Sequence, residues 1–310
     1  MNGTHIAPQV DLRFECRAGG GTFLARQYAG YPFHVGRILR RPDAPPSAAT
    51  VLIQSCSGGL FEHDRVAARV KVCAGAGARV GNAAATVVHS MTGGEAVSKV
   101  LLEAEPDAWL EYAPALTILF PGARLVNSVD VVLHQKSLVI LADSFLAHDP
   151  SAQAKPFDAL DTCLAVHDET GRILVRDRVR LDGVLWAGAA AGVSASFRAH
   201  GSFAVLQRGA DSVELTSVLH AAIGEQKGVY AGVGALPNRC GVLVRVLADS
   251  GEPLRQALLR VTEAMRGVFG HRAALPNADA MPAVQAIKSN GGRRAVAHAA
   301  ENPEIGIVNS

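Results

Sequence analysis

Val70-Lys71-Val72-Cys73-Ala74-Gly75-Ala76-Gly77-Ala78-Arg79-Val80 is the stretch on which the fold turns. Apolar residues alternate with small or polar ones on either side of a Gly-Ala turn, the pattern of strand, tight corner, strand. It returns roughly thirty residues on as Val100-Leu101-Leu102-Glu103, a Glu-Pro-Asp turn and Ala108-Trp109-Leu110. At nearly the same offset it returns again as Val131-Val132-Leu133-His134, then Ser137-Leu138-Val139-Ile140. One such unit cannot bury its apolar face alone, but stacked on its copies it can. The period therefore predicts an all-β-dominated chain wound as a helical stack of β-sheets, solenoid-like. A run of β-hairpins in a sandwich gives the same spacing and is the alternative.

Working outward, strand signals run from about residue 10 to about residue 250. Leu12 to Arg17 alternates apolar with polar before Gly19-Gly20-Gly21, and Pro42, Pro45 and Pro46 mark a loop. Leu164 to His167 leads into the turn Asp168-Glu169-Thr170-Gly171 and a return strand. That strand has Val175, Asp177, Val179 and Leu181 on one face and Arg176, Arg178 and Arg180 on the other, a wet outer face or an acidic partner's surface. After Val242–Leu247 the period changes. Leu254, Ala257, Leu258, Val261, Ala264, Met265 and Val268 form one stripe of a C-terminal amphipathic helix over about 252–269, with Ser250 as N-cap and Gly270 as C-cap. The expected organisation is one β-rich domain over 1–270 and a flexible tail over 271–310.

The chain has 310 residues, 49% hydrophobic, so a large core is available. Thirty Lys+Arg against twenty-eight Asp+Glu leave a charge of +2, which gives no reason to expect nucleic acid or an anionic membrane as partner. Five widely spaced cysteines do not make a disulfide framework. The N-terminus does not read as a signal peptide, and the longest weakly polar run, Val184 to Phe197, is too short and too rich in Gly and Ser to span a bilayer. A cytoplasmic protein is expected.

Catalytic signatures are missing. Gly93-Gly94-Glu95-Ala96-Val97-Ser98-Lys99 lacks the Gly-Lys-Ser of a phosphate loop, and no G-x-S-x-G, H-E-x-x-H or C-x-x-C occurs. His63-Asp64 and His148-Asp149 are weak metal candidates, the latter beside a polar connection with Asp158, Asp161 and His167-Asp168. Without a catalytic constellation the chain reads as a binding or scaffold protein. The competing readings are a hydrolase using Cys56 or Cys163 with a histidine, and a β-rich module for another client.

Several segments, in order, resemble the urease accessory protein UreD (UreH) family. Ser57-Gly58-Gly59-Leu60-Phe61-Glu62-His63-Asp64 resembles its Gly-Gly-Leu-x-x-Gly-Asp segment, and Ala84-Ala85-Thr86 its Ala-Ala-Thr-Lys-Val-Tyr strand. Leu110-Glu111-Tyr112-Ala113-Pro114 with Thr117-Ile118-Leu119-Phe120-Pro121-Gly122-Ala123-Arg124 is the most specific match. Gly234-Ala235-Leu236-Pro237-Asn238 and Leu243–Leu247 also fall in family order. The departures are His63 for the family's Gly, Val87 and His89 for its Lys and Tyr, and Ala147–Gln153 where the family has Gly-Arg-x-x-x-Gly-Glu.

The resemblance implies a non-enzymatic scaffold. It would bind UreF-like and UreG-like proteins, in a 2:2 hetero-oligomer with the former, and dock them on apo-urease for nickel insertion. No cofactor would be held tightly, and nickel would pass transiently through an internal channel. Gly58, Gly59, Leu60, His63 and Asp64, then Glu111, Tyr112 and Pro114, are the implied partner or channel residues. Glu111 is the polar channel candidate, with a plain strand-face carboxylate as the other reading. The helix stripe would meet either UreF or its own sheet.

Overall fold

The computed structural model describes residues 6–40, 44 and 47–270. The prolines of the 42–46 stretch and the tail over 271–310 lie outside them.

The repeat is a coil that visits two sheets in turn. β1 (Val10–Cys16), β2 (Thr22–Ala29) and β3 (Phe33–Val35) lead into the winding region. There β4 (Ala49–Ser55), β5 (Arg65–Val72), β6 (Gly77–Asn82), β7 (Thr86–Val88), β8 (Ala96–Ala104), β9 (Trp109–Ala113), β10 (Thr117–Leu119), β11 (Arg124–Leu133), β12 (Leu138–Ala147) and β13 (Ala159–His167) follow. β5, β8, β11 and β13 stack in parallel in one sheet, and β4, β6, β9 and β12 in the other. Val70 lies beside Leu102, Leu102 beside Val131, and Val131 beside Val166. The three sequence units are thus successive coils in register.

Each corner between the sheets needs a left-handed residue. Gly75 (φ 67°), Asp107 (φ 59°) and Lys136 (φ 59°) occupy that position in the three coils. Gly and Asp tolerate it; Lys136 adopts it at a cost of about 1–2 kcal/mol, offset by the ladder bonds on either side. Leu138 N–H bonds to the Ala108 carbonyl (2.9 Å) as Trp109 N–H does to that of Ala76 (3.0 Å).

After β13 the winding stops. β14 (Ile173–Asp182) returns antiparallel on β13 and ends the seven-stranded sheet. β15 (Ala199–Leu206), β16 (Val229–Ala235) and β17 (Gly241–Ala248) extend the ten-stranded sheet antiparallel beyond β12, in the order β12-β15-β17-β16. Between the sheets lies the main core, with Leu12, Phe14, Leu102, Leu110, Val131 and Leu206 wholly buried. Each such side chain contributes roughly 1.5–3 kcal/mol.

Strands continue to Ala248, as the sequence suggests, but not without interruption. α1 (Gly183–Ala187) and α2 (Ser212–Ile223) interrupt them. Val213, Thr216 and Val218 give α2 a strand-like composition. Tertiary burial of Leu215, Leu219 and Ile223, together with the Asp211 cap on Val213 and Glu214 N–H, decides for helix. α3 (Gly251–Gly270) matches the expected C-terminal helix. Leu254, Ala257, Val261 and Met265 are buried against the outer face of the ten-stranded sheet beside α2, so the stripe meets its own sheet. Among the described residues no helix is long and apolar enough to cross a membrane.

Candidate functional site

On the side of the coils away from the corners, the space between the sheets opens into a cavity of about 460 Å3. Ile53, Val100, Leu125 and Val129 wall it, and Asn127, Asp143 and Tyr112 give it a polar patch. Val129 and Asp143 also border a second cavity of about 30 Å3, reached by Thr162, Asp177 and Ser202.

Asp143 Oδ2 accepts hydrogen bonds from Thr162 Oγ1 (3.2 Å) and Asn127 Nδ2 (3.3 Å). Burial pushes the Asp143 carboxyl above its ordinary range, although these bonds pull it down. Burial, and then the nearby Asp143 charge, also raise the Tyr112 phenol. Past the second cavity, Arg245 holds Asp177 through both oxygens (2.5 and 2.6 Å) and reaches Ser202 and His200 Nε2 at 3.4 Å. Burial, helped by that guanidinium, lowers His200 to about 4 and keeps it neutral at pH 7. A line of oxygen and nitrogen groups thus crosses a largely apolar interior.

The Gly-Gly-Leu turn forms part of the cavity wall. Gly59 has φ 138°, and a Cβ there would lie 2.2 Å from the Val87 carbonyl oxygen, so only glycine fits. That carbonyl accepts Leu60 N–H (2.7 Å), joining the turn to β7. His89 bonds to the Gly58 carbonyl through Nε2 (3.0 Å) and stacks on Phe61 (centroids 4.3 Å apart). Phe120 and His148 continue this outer column of rings at 5.6 and 6.1 Å. His63, in place of the family's glycine, has φ 68°, a conformation glycine takes freely.

Gly58, Gly59, Leu60, Tyr112 and Pro114 meet at the one cavity. Glu111 is not among the residues that line it, and its place is that of the strand-face carboxylate. In a strand successive side chains face opposite ways. Leu110 and Tyr112 point into the core, whereas Glu111 points out, under α3. There it is fully buried, bonded to Arg266 Nε (2.9 Å) and Nη2 (2.5 Å), with Arg79 Nε at 3.0 Å. It fastens the C-terminal helix to the sheet.

The weak metal candidates stay apart from the cavity. Asp64 Oδ2 caps Phe61 N–H (2.8 Å). Asp149 accepts from Ser151, Gln153 and Lys155 N–H and the Ser151 hydroxyl, and these bonds, the hydroxyl foremost, hold it down at about 2. Asp158 pairs with Arg124, and Asp161 with Arg178 and Arg180. Among the described residues no three His, Cys, Asp or Glu side chains converge as a metal cage would require. The Gly93-Gly94 loop is an anion nest filled from within. Glu62 accepts N–H bonds from Gly94, Gly93 and Thr92, which lower its carboxyl to about 2. Burial raises the Cys163 thiol, the opposite of what a nucleophile at neutral pH needs.

Asp143, Asn127 and Thr162 match no motif in the sequence. The signal for them is a lone carboxylate directly after the apolar run Leu138-Val139-Ile140-Leu141-Ala142, and an asparagine in phase with Val129, Val131 and Leu133.

The sequence profile of the UreD urease accessory protein family matches residues 7–280. The chain belongs to the UreD family. It is 38% identical over 247 residues to urease accessory protein UreD 1 of Pseudomonas syringae pv. syringae strain B728a, covering 80% of this chain and 87% of that one. UreD 1 of Methylorubrum populi is 36% identical over 263 residues (84% and 88%), and UreD of Natronomonas pharaonis 34% over 250 (79% and 82%). Membership makes the chain an accessory protein with a role in urease maturation, not an enzyme.

Proposed function

We propose that this chain is the scaffold on which UreF-like and UreG-like proteins are brought to apo-urease, and that nickel reaches the enzyme through its interior. The observation that carries the second half is the cavity ending on Asp143. A carboxylate raised by burial favours any partner that neutralises it, and a divalent cation does so better than a proton above the ordinary carboxylate range. Asp143, with the amide and hydroxyl oxygens of Asn127 and Thr162, offers hard ligands on one side only. Such a set detains a hydrated cation without caging it, as transfer requires.

The test is reconstitution. The chain is purified with UreF, UreG and apo-urease from the same source, and urease activity is assayed after adding nickel and GTP. Activation that is lost without this chain supports the scaffold. Asp143→Asn keeps the shape of the cavity and removes its charge, so it should leave the complex intact and slow activation at limiting nickel. Unchanged activation with that variant would leave the scaffold standing and remove the passage.

A further inference from the structure

The two strand orders end on four edge strands, and three are guarded against an incoming strand. β14 carries Arg176, Arg178 and Arg180, β2 carries Arg26, and β3 has only three residues. Charges and short length are the usual protections. β16, Val229-Tyr230-Ala231-Gly232-Val233-Gly234-Ala235, has no charge, no proline and an unbroken register with β17. Among the described residues nothing pairs with its other side.

The free edge is ready to bond. Leu236 N–H donates to the Gly241 carbonyl (2.8 Å), and antiparallel pairs alternate between bonded and unbonded. Even-numbered residues of β16 are therefore tied to β17, and Ala231, Val233 and Ala235 turn their N–H and C=O groups outward. Side chains of Val229, Ala231 and Val233 pack on the helix side. On the other face Tyr230 is 68% exposed, and a Cβ on Gly232 or Gly234 would meet nothing within 4 Å.

We propose that β16 is a dimerisation edge whose occupant is the β16 of a second copy, antiparallel about a two-fold axis at Gly232. In that register the outward-bonding residues face one another, Ala231 against Val233 and Val229 against Ala235, giving about six backbone hydrogen bonds. Every larger side chain meets a smaller one. The close, unbonded pairs set Tyr230 against Gly234 and Gly232 against Gly232, so each ring covers the bare glycine face of the other copy. The helices of both copies lie on one face of the joined sheet, and the contact is isologous and closed.

Sedimentation equilibrium of the full chain from about 1 to 100 µM tests this. The wild type should reach twice the chain mass. Gly232→Lys adds a side chain into open space, so it should fold as the wild type by circular dichroism. It places two ammonium groups at the axis and should weaken the dimer at least tenfold. Gly232→Glu should do the same, and an equimolar mixture of the two variants should regain the dimer mass. Ala231→Pro, which removes only an outward N–H, gives an independent block. A wild-type monomer across the range, a dimer indifferent to these changes, or a mixture that stays monomeric would each overturn the proposal. So would a monomer that loses capture of UreF with Gly232→Lys, which would assign the edge to a strand of that protein.

Discussion

Replacing Glu111 by alanine should be among the costliest single changes on the outer face of the ten-stranded sheet. Glu111 is fully buried between Arg266 of α3 and Arg79 of β6. Removing it leaves two largely buried guanidinium groups short of their counter-charge, a loss of about 3–5 kcal/mol. Unfolding entropy of about 2.1 cal/mol/K per residue amounts to roughly 0.55 kcal/mol/K for a body of this size, so Tm should fall by about 5–9 °C. Urea unfolding followed by tryptophan fluorescence suits the measurement, because Trp109 lies two residues away on the same face of β9. The midpoint should drop at constant slope, since Leu254, Val261 and Met265 still hold the helix. Arg266→Ala should cost a similar amount, and the double variant less than the sum. A loss under about 1 kcal/mol, the scale of exposed pairs, or strict additivity of the two changes would refute the assignment of Glu111 as the anchor of α3.

Gly59→Ala should lose about 3 kcal/mol or more, because its Cβ would lie 2.2 Å from the Val87 carbonyl oxygen; a thermal melt within 2 °C of wild type would contradict that. His63→Gly should gain about 0.5–1 kcal/mol by relieving the left-handed φ of 68°, seen as a raised urea midpoint. For Asp143 the folded carboxyl is raised, so its contribution is most favourable below the ordinary value of 3.8 and is lost as pH climbs toward the raised one. Asp143→Asn should therefore match wild type below the ordinary carboxylate value and exceed it as pH climbs through the raised one, levelling off beyond it, in urea midpoints. Glu62 runs the other way. With its pKa lowered to about 2, its contribution is present above 4.5 and fades as pH falls toward 2, so Glu62→Gln should flatten that acid limb of the unfolding curve.

The winding was legible because it rests on local chemistry repeated. Ala74-Gly75, Pro106-Asp107 and Gln135-Lys136 are turn pairs between apolar strands, and their recurrence carries the stack. The C-terminal helix was legible from the spacing of Leu254 to Val268. α2 was not, because Val213, Thr216 and Val218 spoke for a strand and only burial of Leu215 and Leu219 against β16 and β17 settled the matter. At the cavity, the glycine turn and Tyr112 are legible in the sequence, and the separation of Glu111 from Tyr112 follows from the pleat. Asp143 needed the stack itself, since Asn127 and Thr162 approach it only once β11, β12 and β13 are wound.

The coil imposes a grammar on how such a chain can change length. Within a strand, one inserted or deleted residue exchanges the inside and the outside for every position up to the next corner. Asp143 would then face away from the cavity and Ala142 would take its place. Additions are harmless only as whole coils, or in the connections on the side opposite the corners. There the chain spends different lengths on equivalent returns from one sheet to the other: 89–95 between β7 and β8, 120–123 between β10 and β11, 148–158 between β12 and β13. The longest of these begins at His148, the last ring of the outer column. Novelty can therefore accumulate along a single flank while the cavity behind it keeps its shape.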